Sequence, residues 1–151
     1  MSFAERTTVP AEKTRGHIER ALSKYGASGF AYAWQGHDAM VSFMMNNRHI
    51  RFVINVPSKD TFFKTSTGKV RAPDSVDLAF HQEVRRRWRV LYLIIKGKLE
   101  AIETGVTEFD DEFLAHIVMP NGKTFGEWAR PQIDEIASSG KMPPLLTGPQ
   151  Q

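Results

Sequence analysis

The chain predicts an α+β fold: an N-terminal helix, a three-stranded antiparallel meander packed on one long central helix, and a small C-terminal helical module. Apolar residues alternate with period two from Ser28 to Val56, interrupted by two turn signals. They then step by three or four from Val76 to Ile102, the stripe of a helix with one buried side. Two shorter stretches follow, each opened by Thr with an acidic residue three positions on. At 151 residues, one domain can bury a core without staples. Residues 1–9 are read as a flexible N-terminus and 10–140 as a single α+β domain. Within it, 10–105 form the sheet and long-helix core and 106–140 an acidic helical module; 141–151 is a Pro-rich tail.

Pro10 suits a first helical position, and Ile18, Ala21, Leu22 and Tyr25 recur at helical spacing until Gly26 offers a stop. Phe30, Tyr32 and Trp34 then alternate with Ala31 and Ala33, giving one aromatic and one small face. Gly36-His37-Asp38 reads as a turn, and Ala39, Val41, Phe43 and Met45 continue the alternation. Asn46-Asn47 can supply the positive φ angles of a tight hairpin before Ile50, Phe52, Ile54 and Val56. After Pro57 comes a long segment without periodicity, carrying Lys59, Lys64, Lys69 and Arg71 beside Phe62 and Phe63.

Pro73-Asp74-Ser75 opens the long helix, whose stripe is Val76, Phe80, Val84, Trp88, Leu91, Ile95, Leu99 and Ile102. Val90 to Ile95 is apolar all round, which predicts burial there on more than one face. Thr107 with Asp110 is expected to cap a helix running toward Met119, before Pro120-Asn121-Gly122 turns the chain. Thr124 with Glu127 forms a capping box for the last helix, which Pro131 should kink or divide and Gly140 should end.

The net charge of +3 hides a lengthwise split. Arg48 to Lys98 holds twelve Lys/Arg against four Asp/Glu, whereas Leu99 to Ser138 holds two against nine. A basic half beside an acidic half implies an anionic ligand, a complementary protein surface, or both. With no cysteine, disulfides, thiolate zinc sites and cysteine catalysis are excluded. No apolar run approaches ~20 residues, so no membrane-spanning helix is expected. Met1 to Pro10 lacks the apolar core of a secretory signal, and a cytoplasmic protein is the expectation.

Candidate nucleic-acid contacts are Arg48 and Arg51 on the third strand, Lys59, Lys64, Lys69 and Arg71 in the loop, and Arg85, Arg86 and Arg89 on the long helix. Guanidinium forks pair bidentately with phosphate oxygens; the competing reading is a solvated helix face neutralised by the chain's own acids. Phe62 and Phe63 are the stacking candidates, because a loop buries both rings less readily than a strand does. Phe30, Tyr32 and Trp34 read as the core face of the sheet. Thr65 to Lys69 lacks the glycine spacing of a phosphate loop. No two of His17, His37, His49, His81 and His116 stand at metal spacing, and Asp110-Asp111-Glu112 suits the first turn of a helix, where acids stabilise its dipole. With no nucleophile elbow or dinucleotide glycine motif, no catalytic residue, metal or cofactor is assigned, and the chain is read as a non-enzyme.

The segment Phe113-Leu-Ala-His-Ile-Val-Met-Pro-Asn-Gly-Lys-Thr124, with Lys98-Leu-Glu-Ala-Ile-Glu-Thr-Gly105, resembles uncharacterised bacteriophage and prophage proteins over Val9 to about Gly148. That resemblance implies a mobile-element context and carries no activity. The order helix, meander, long helix, with the glycine–aromatic step Tyr25-Gly-Ala-Ser-Gly29-Phe30, is similar to phage single-strand annealing recombinases. It implies single-stranded DNA held in a basic groove and assembly into homo-oligomers. The acidic C-terminal module departs from that pattern. The expected function is therefore nucleic-acid binding, with single-stranded DNA annealing or protection in recombination as its specific form. The alternative is a protein-binding accessory or inhibitor factor that acts on a host component through the acidic helices.

Overall fold

The computed structural model describes residues 3–142, with side chains from Glu12 onward. Helix α1 spans Phe3–Ser23 and starts ahead of Pro10, so the expected loose N-terminal segment is helical from Phe3. Its apolar side, Ile18 and Leu22, is fully buried. The Pro-rich tail expected over 141–151 lies outside the described residues beyond Met142.

Strands β1 (Ser28–Gln35), β2 (Asp38–Met45) and β3 (Arg48–Ile54) form an antiparallel sheet in the order β1-β2-β3. The β2–β3 turn places Asn46 at φ 50° and Asn47 at φ 59°, the doubly left-handed geometry that matches the twist of paired strands. Gly29 marks a bulge: the β1–β2 register shifts between Ser28 and Ala31, φ is +64°, and a Cβ there would lie 3.3 Å from the Met44 side chain. The register aligns Tyr32, Val41 and Phe52 on the inner face. Ala31, Ser42 and Arg51 therefore share the outer face, with Ala33, Met40 and Val53 aligned beside them. Trp34 continues the inner aromatic row but lies at the sheet's end, 42% exposed.

Helix α2 runs Pro73–Glu103 and lays Val76, Phe80, Val84, Trp88, Leu91, Ile95 and Leu99 against the core. Each such apolar side chain withdrawn from water contributes about 1.5–3 kcal/mol before entropy is counted. The expectation of burial on several faces between Val90 and Ile95 is overturned: Val90, Leu93 and Ile94 are 44%, 57% and 46% exposed. One layer of sheet covers one side of α2, and nothing among the described residues covers its back.

The segment between Pro57 and Ala72 is folded. A 3-10 turn at Lys59–Phe62 leads into a small hairpin closed by the Lys64–Val70 bridge and a turn in which the Gly68 N–H donates to the Thr65 carbonyl. Phe62 is half-buried with its ring edge-on to Phe80, 6.0 Å between centroids, so it anchors the segment to the core. Phe63 remains 50% exposed.

Helix α3 is only Phe109–Phe113, with Glu108 at its N-cap position. It is shorter than the sequence suggests because the chain leaves the helix after Phe113 to reach the edge of β3. Phe113 meets Phe43 and Phe52 edge-on at 6.3 and 6.2 Å. A 3-10 turn, Leu114–His116, then delivers Ile117 and Val118 to the free edge of β3. There the Val118 N–H donates to the His49 carbonyl at 2.8 Å. Helix α4, Phe125–Ser139, is capped as expected: the Glu127 N–H donates to the Thr124 hydroxyl at 3.2 Å, and Gly140 ends the helix at φ 69°. Pro131 lies within one continuous helical element and does not divide it.

Candidate anion-binding cleft

Helices α1 and α2 lie side by side and point the same way. His17 tilts against Tyr92 at 5.8 Å, and further along both helices the Tyr25 hydroxyl donates to Glu103 Oε2 at 2.6 Å. Between them is a cleft of about 500 Å³, with Ala21 and Leu99 among its lining residues. Arg20 and Lys24, one helical turn apart, enter it from α1, and Lys96 enters from α2. All three are exposed and none makes an ion pair among the described residues. The rings of His17, Tyr25 and Tyr92 also line it, and Glu100 and Glu103 close its far end. The hydrogen bond to Glu103 pushes the Tyr25 hydroxyl pKa up, so Tyr25 stays protonated and keeps donating to that carboxylate.

On α2, Arg85, Arg89, Tyr92, Lys96 and Glu103 follow one another at helical spacing along a single line. Arg85 and Arg89 are exposed and also lack ion-pair partners among the described residues. The cations of the cleft thus continue toward the start of α2. The arrangement can hold a chain of anionic groups, with flat rings beside the charges. No group of three metal-ligating side chains occurs among the described residues.

The remaining sequence candidates are distributed differently. Arg48 donates to both oxygens of Asp110 at 3.3 Å. Arg51, its side chain 18% exposed, donates to the Gly122 carbonyl at 2.9 Å and pairs with Glu127. Lys59 pairs with Asp77, Arg71 reaches the Phe62 carbonyl, and Arg86 pairs with Glu83. Lys64 and Lys69 stand on the small hairpin without an ion pair among the described residues. Phe63 lies with Lys59 and Arg71 at the start of α2. Much of the basic half is therefore joined to the chain's own acids and carbonyls. Arg87 follows the same rule, bonding Glu83 and the Asn55 carbonyl. Two acids of α3 are similarly engaged: Asp110 with Arg48, and Glu112, whose carboxylate accepts from Lys98 at 3.2 Å, a bond that holds its pKa below the usual range.

Arg20, Lys24 and Lys96 were not signalled by any basic run. In sequence, Arg20 and Lys24 sit among acids and apolar residues, and they converge with Lys96 only because α1 docks beside α2. The available signal was their spacing, with Lys96 seven positions beyond Arg89 on the same helical line. No protein-family model, curated protein or solved structure matches this chain.

Proposed function

We propose that this is a non-catalytic nucleic-acid-binding protein of phage type, and that the α1–α2 cleft with its extension over Arg89 and Arg85 contacts a single strand. The observation that carries this reading is the meeting of three cations without ion pairs, Arg20, Lys24 and Lys96, with aromatic rings in one cleft. Cations neutralise phosphates, and the half-buried rings of His17, Tyr25 and Tyr92 offer surfaces that accept bases regardless of sequence, which favours unpaired DNA over duplex. Annealing or protection of single strands during recombination is the role that suits such sequence-tolerant contacts.

The test is a polarisation titration with a labelled single-stranded oligonucleotide at low and moderate salt. Five phosphate contacts, by Arg20, Lys24, Lys96, Arg89 and Arg85, give a log–log slope of affinity against salt of about −3.5. Arg20→Glu with Lys24→Glu should abolish binding while leaving the melting temperature within a degree or two, since both side chains are exposed. Absence of binding at low salt overturns the proposal, and stronger binding to duplex of equal length removes its single-strand form. A second reading, an accessory or inhibitor factor that binds a host protein through its acidic helices, is favoured by one observation: Asp134 and Glu135 on α4 have no ion pair among the described residues. It predicts an oligonucleotide-blind protein that captures a partner through α4 and loses it on Asp134→Asn with Glu135→Gln.

A further inference from the structure

Strand β1 is an open edge of the sheet. The opposite edge, β3, is closed by the strap after α3, whose Val118 N–H donates to the His49 carbonyl. Strands β1 and β2 join through the two-residue turn Gly36-His37, so Gln35 and Asp38 form the closing hydrogen-bonded pair. Counting back by twos, Ala33 and Ala31 also bond β2, opposite Met40 and Ser42. The N–H and carbonyl groups of Tyr32 and Trp34 therefore point away from the sheet, and no backbone group among the described residues bonds them. Edge strands are ordinarily guarded by charges, prolines or bulges. Here Ser28–Gln35 has neither charge nor proline, and the Gly29 bulge guards only its start. Ala31 and Ala33 are exposed on the outer face, and Trp34 ends the inner aromatic row half-exposed.

We infer that β1 pairs antiparallel with β1 of a second copy, about a two-fold axis through Ala33, joining two three-stranded sheets into one. The backbone selects this register. Hydrogen-bonded pairs form between outward-facing residues, so Tyr32 lies opposite Trp34 of the second copy and Trp34 opposite its Tyr32, each pair exchanging both N–H···O bonds. Centring on Tyr32 would require pairing through the bulge at Gly29, and centring on Trp34 would run into the turn at Gly36. With Ala33 on the axis, the closest side chains of the outer face are two methyl groups, at a non-hydrogen-bonded site where Cα atoms stand about 4.5 Å apart. On the inner face, each half-exposed Trp34 is covered by a Tyr32 ring across the new strand pair. The occupant is a copy of this strand because its own sequence supplies the complement: alanine opposite alanine, aromatic opposite aromatic, and no like charges. Since the β3 edge is already taken, each molecule offers one edge and the contact closes as a two-fold dimer instead of a fibre. It is smaller than the roughly 1,200–2,000 Å² of a stable complex, so association is concentration-dependent, in the micromolar range.

Sedimentation velocity over a concentration series tests this on the full chain, and position 33 identifies the strand and its register. Ala33→Lys or Ala33→Glu sets like charges directly opposite each other across the axis, so each should leave a monomer at concentrations where the parent associates. Mixing the two variants should restore association, because opposite charges then meet. Ala33 is exposed, so both should keep the parent's circular dichroism spectrum. The chain has no cysteine of its own, which makes a cross-link unambiguous. Under mild oxidation by oxidised glutathione, Ala33→Cys should give a disulfide-linked dimer, since the paired Cα atoms fall within the roughly 4.4–6.8 Å that a disulfide spans. Ala31→Cys should not, because its counterpart lies about 13 Å away along the strand. A strict monomer at 100 μM, on the order of a hundred times a micromolar Kd, overturns the inference. So does association that survives both charged variants, a mixture that stays monomeric, or a cross-link at position 31 in place of 33. Arg20→Glu with Lys24→Glu, which tests the cleft, should leave association intact, so failure of either proposal is separable from the other.

Discussion

Single residues set the chemistry of this fold through what they touch. His116 stacks on Phe52 with 4.0 Å between ring centroids, on the 3-10 turn that follows α3. Burial lowers its pKa, and the Lys98 ammonium lowers it further against the opposing hydrogen bond to the Arg51 backbone. The folded state therefore keeps His116 neutral where the unfolded chain would protonate it. Its contribution is complete above the unfolded pKa of about 6.5 and is lost as pH falls below that toward the folded value. Melting curves should shift downward between about pH 7.5 and pH 5.5, and His116→Phe, which retains the stacked ring, should flatten that shift. Equal shifts in the two proteins would assign the pH dependence elsewhere.

At the scale of elements, local rules governed the parts that needed no distant partner. The meander was legible because alternation and the Asn46-Asn47 pair act over a few residues, and the α2 stripe because seven inward side chains recur at one spacing. Asn47→Gly should leave stability equal or slightly raised, whereas Asn47→Val should cost about 1–2 kcal/mol in denaturant unfolding, since φ 59° crowds a branched side chain. The Thr124 cap was legible for the same reason. The stretch Leu114–Val118 was not: its course depends on Phe113 reaching Phe43 and on the vacant edge of β3, neither of which leaves a periodic mark. Likewise, the apolar run at Val90–Ile95 predicted burial because hydrophobicity alone does not say how many layers will arrive to cover a helix.

Across the whole molecule, the lengthwise charge split folds back on itself. Arg48 meets Asp110, Arg51 meets Glu127 and Lys98 meets Glu112, so the acidic module neutralises part of the basic half where they adjoin. Linear charge counts could not show which cations would be left over, because that depends on which helices become neighbours. Among the described residues, cations outside these pairs include Arg20, Lys24 and Lys96 at the α1–α2 seam, Arg85 and Arg89 along α2, and Lys64 and Lys69 on the small hairpin, while Asp134 and Glu135 stand on α4.

The seam between α1 and α2 joins residues far apart along the chain; Tyr25 and Glu103 are 78 positions from each other. Each hairpin of the meander closes over a short turn, whereas docking α1 on α2 closes a far longer loop. Docking α1 on α2 therefore carries a larger loop-closure cost than either hairpin. Its reversal should be among the least costly openings of the native protein, because α1 rests mainly on one helix. Amide exchange should be faster along α1 than along α2 and the sheet, and a saturating oligonucleotide that spans Arg20 and Lys96 should slow it selectively. Whatever occupies the cleft would then act as a clasp, holding α1 to the side of α2.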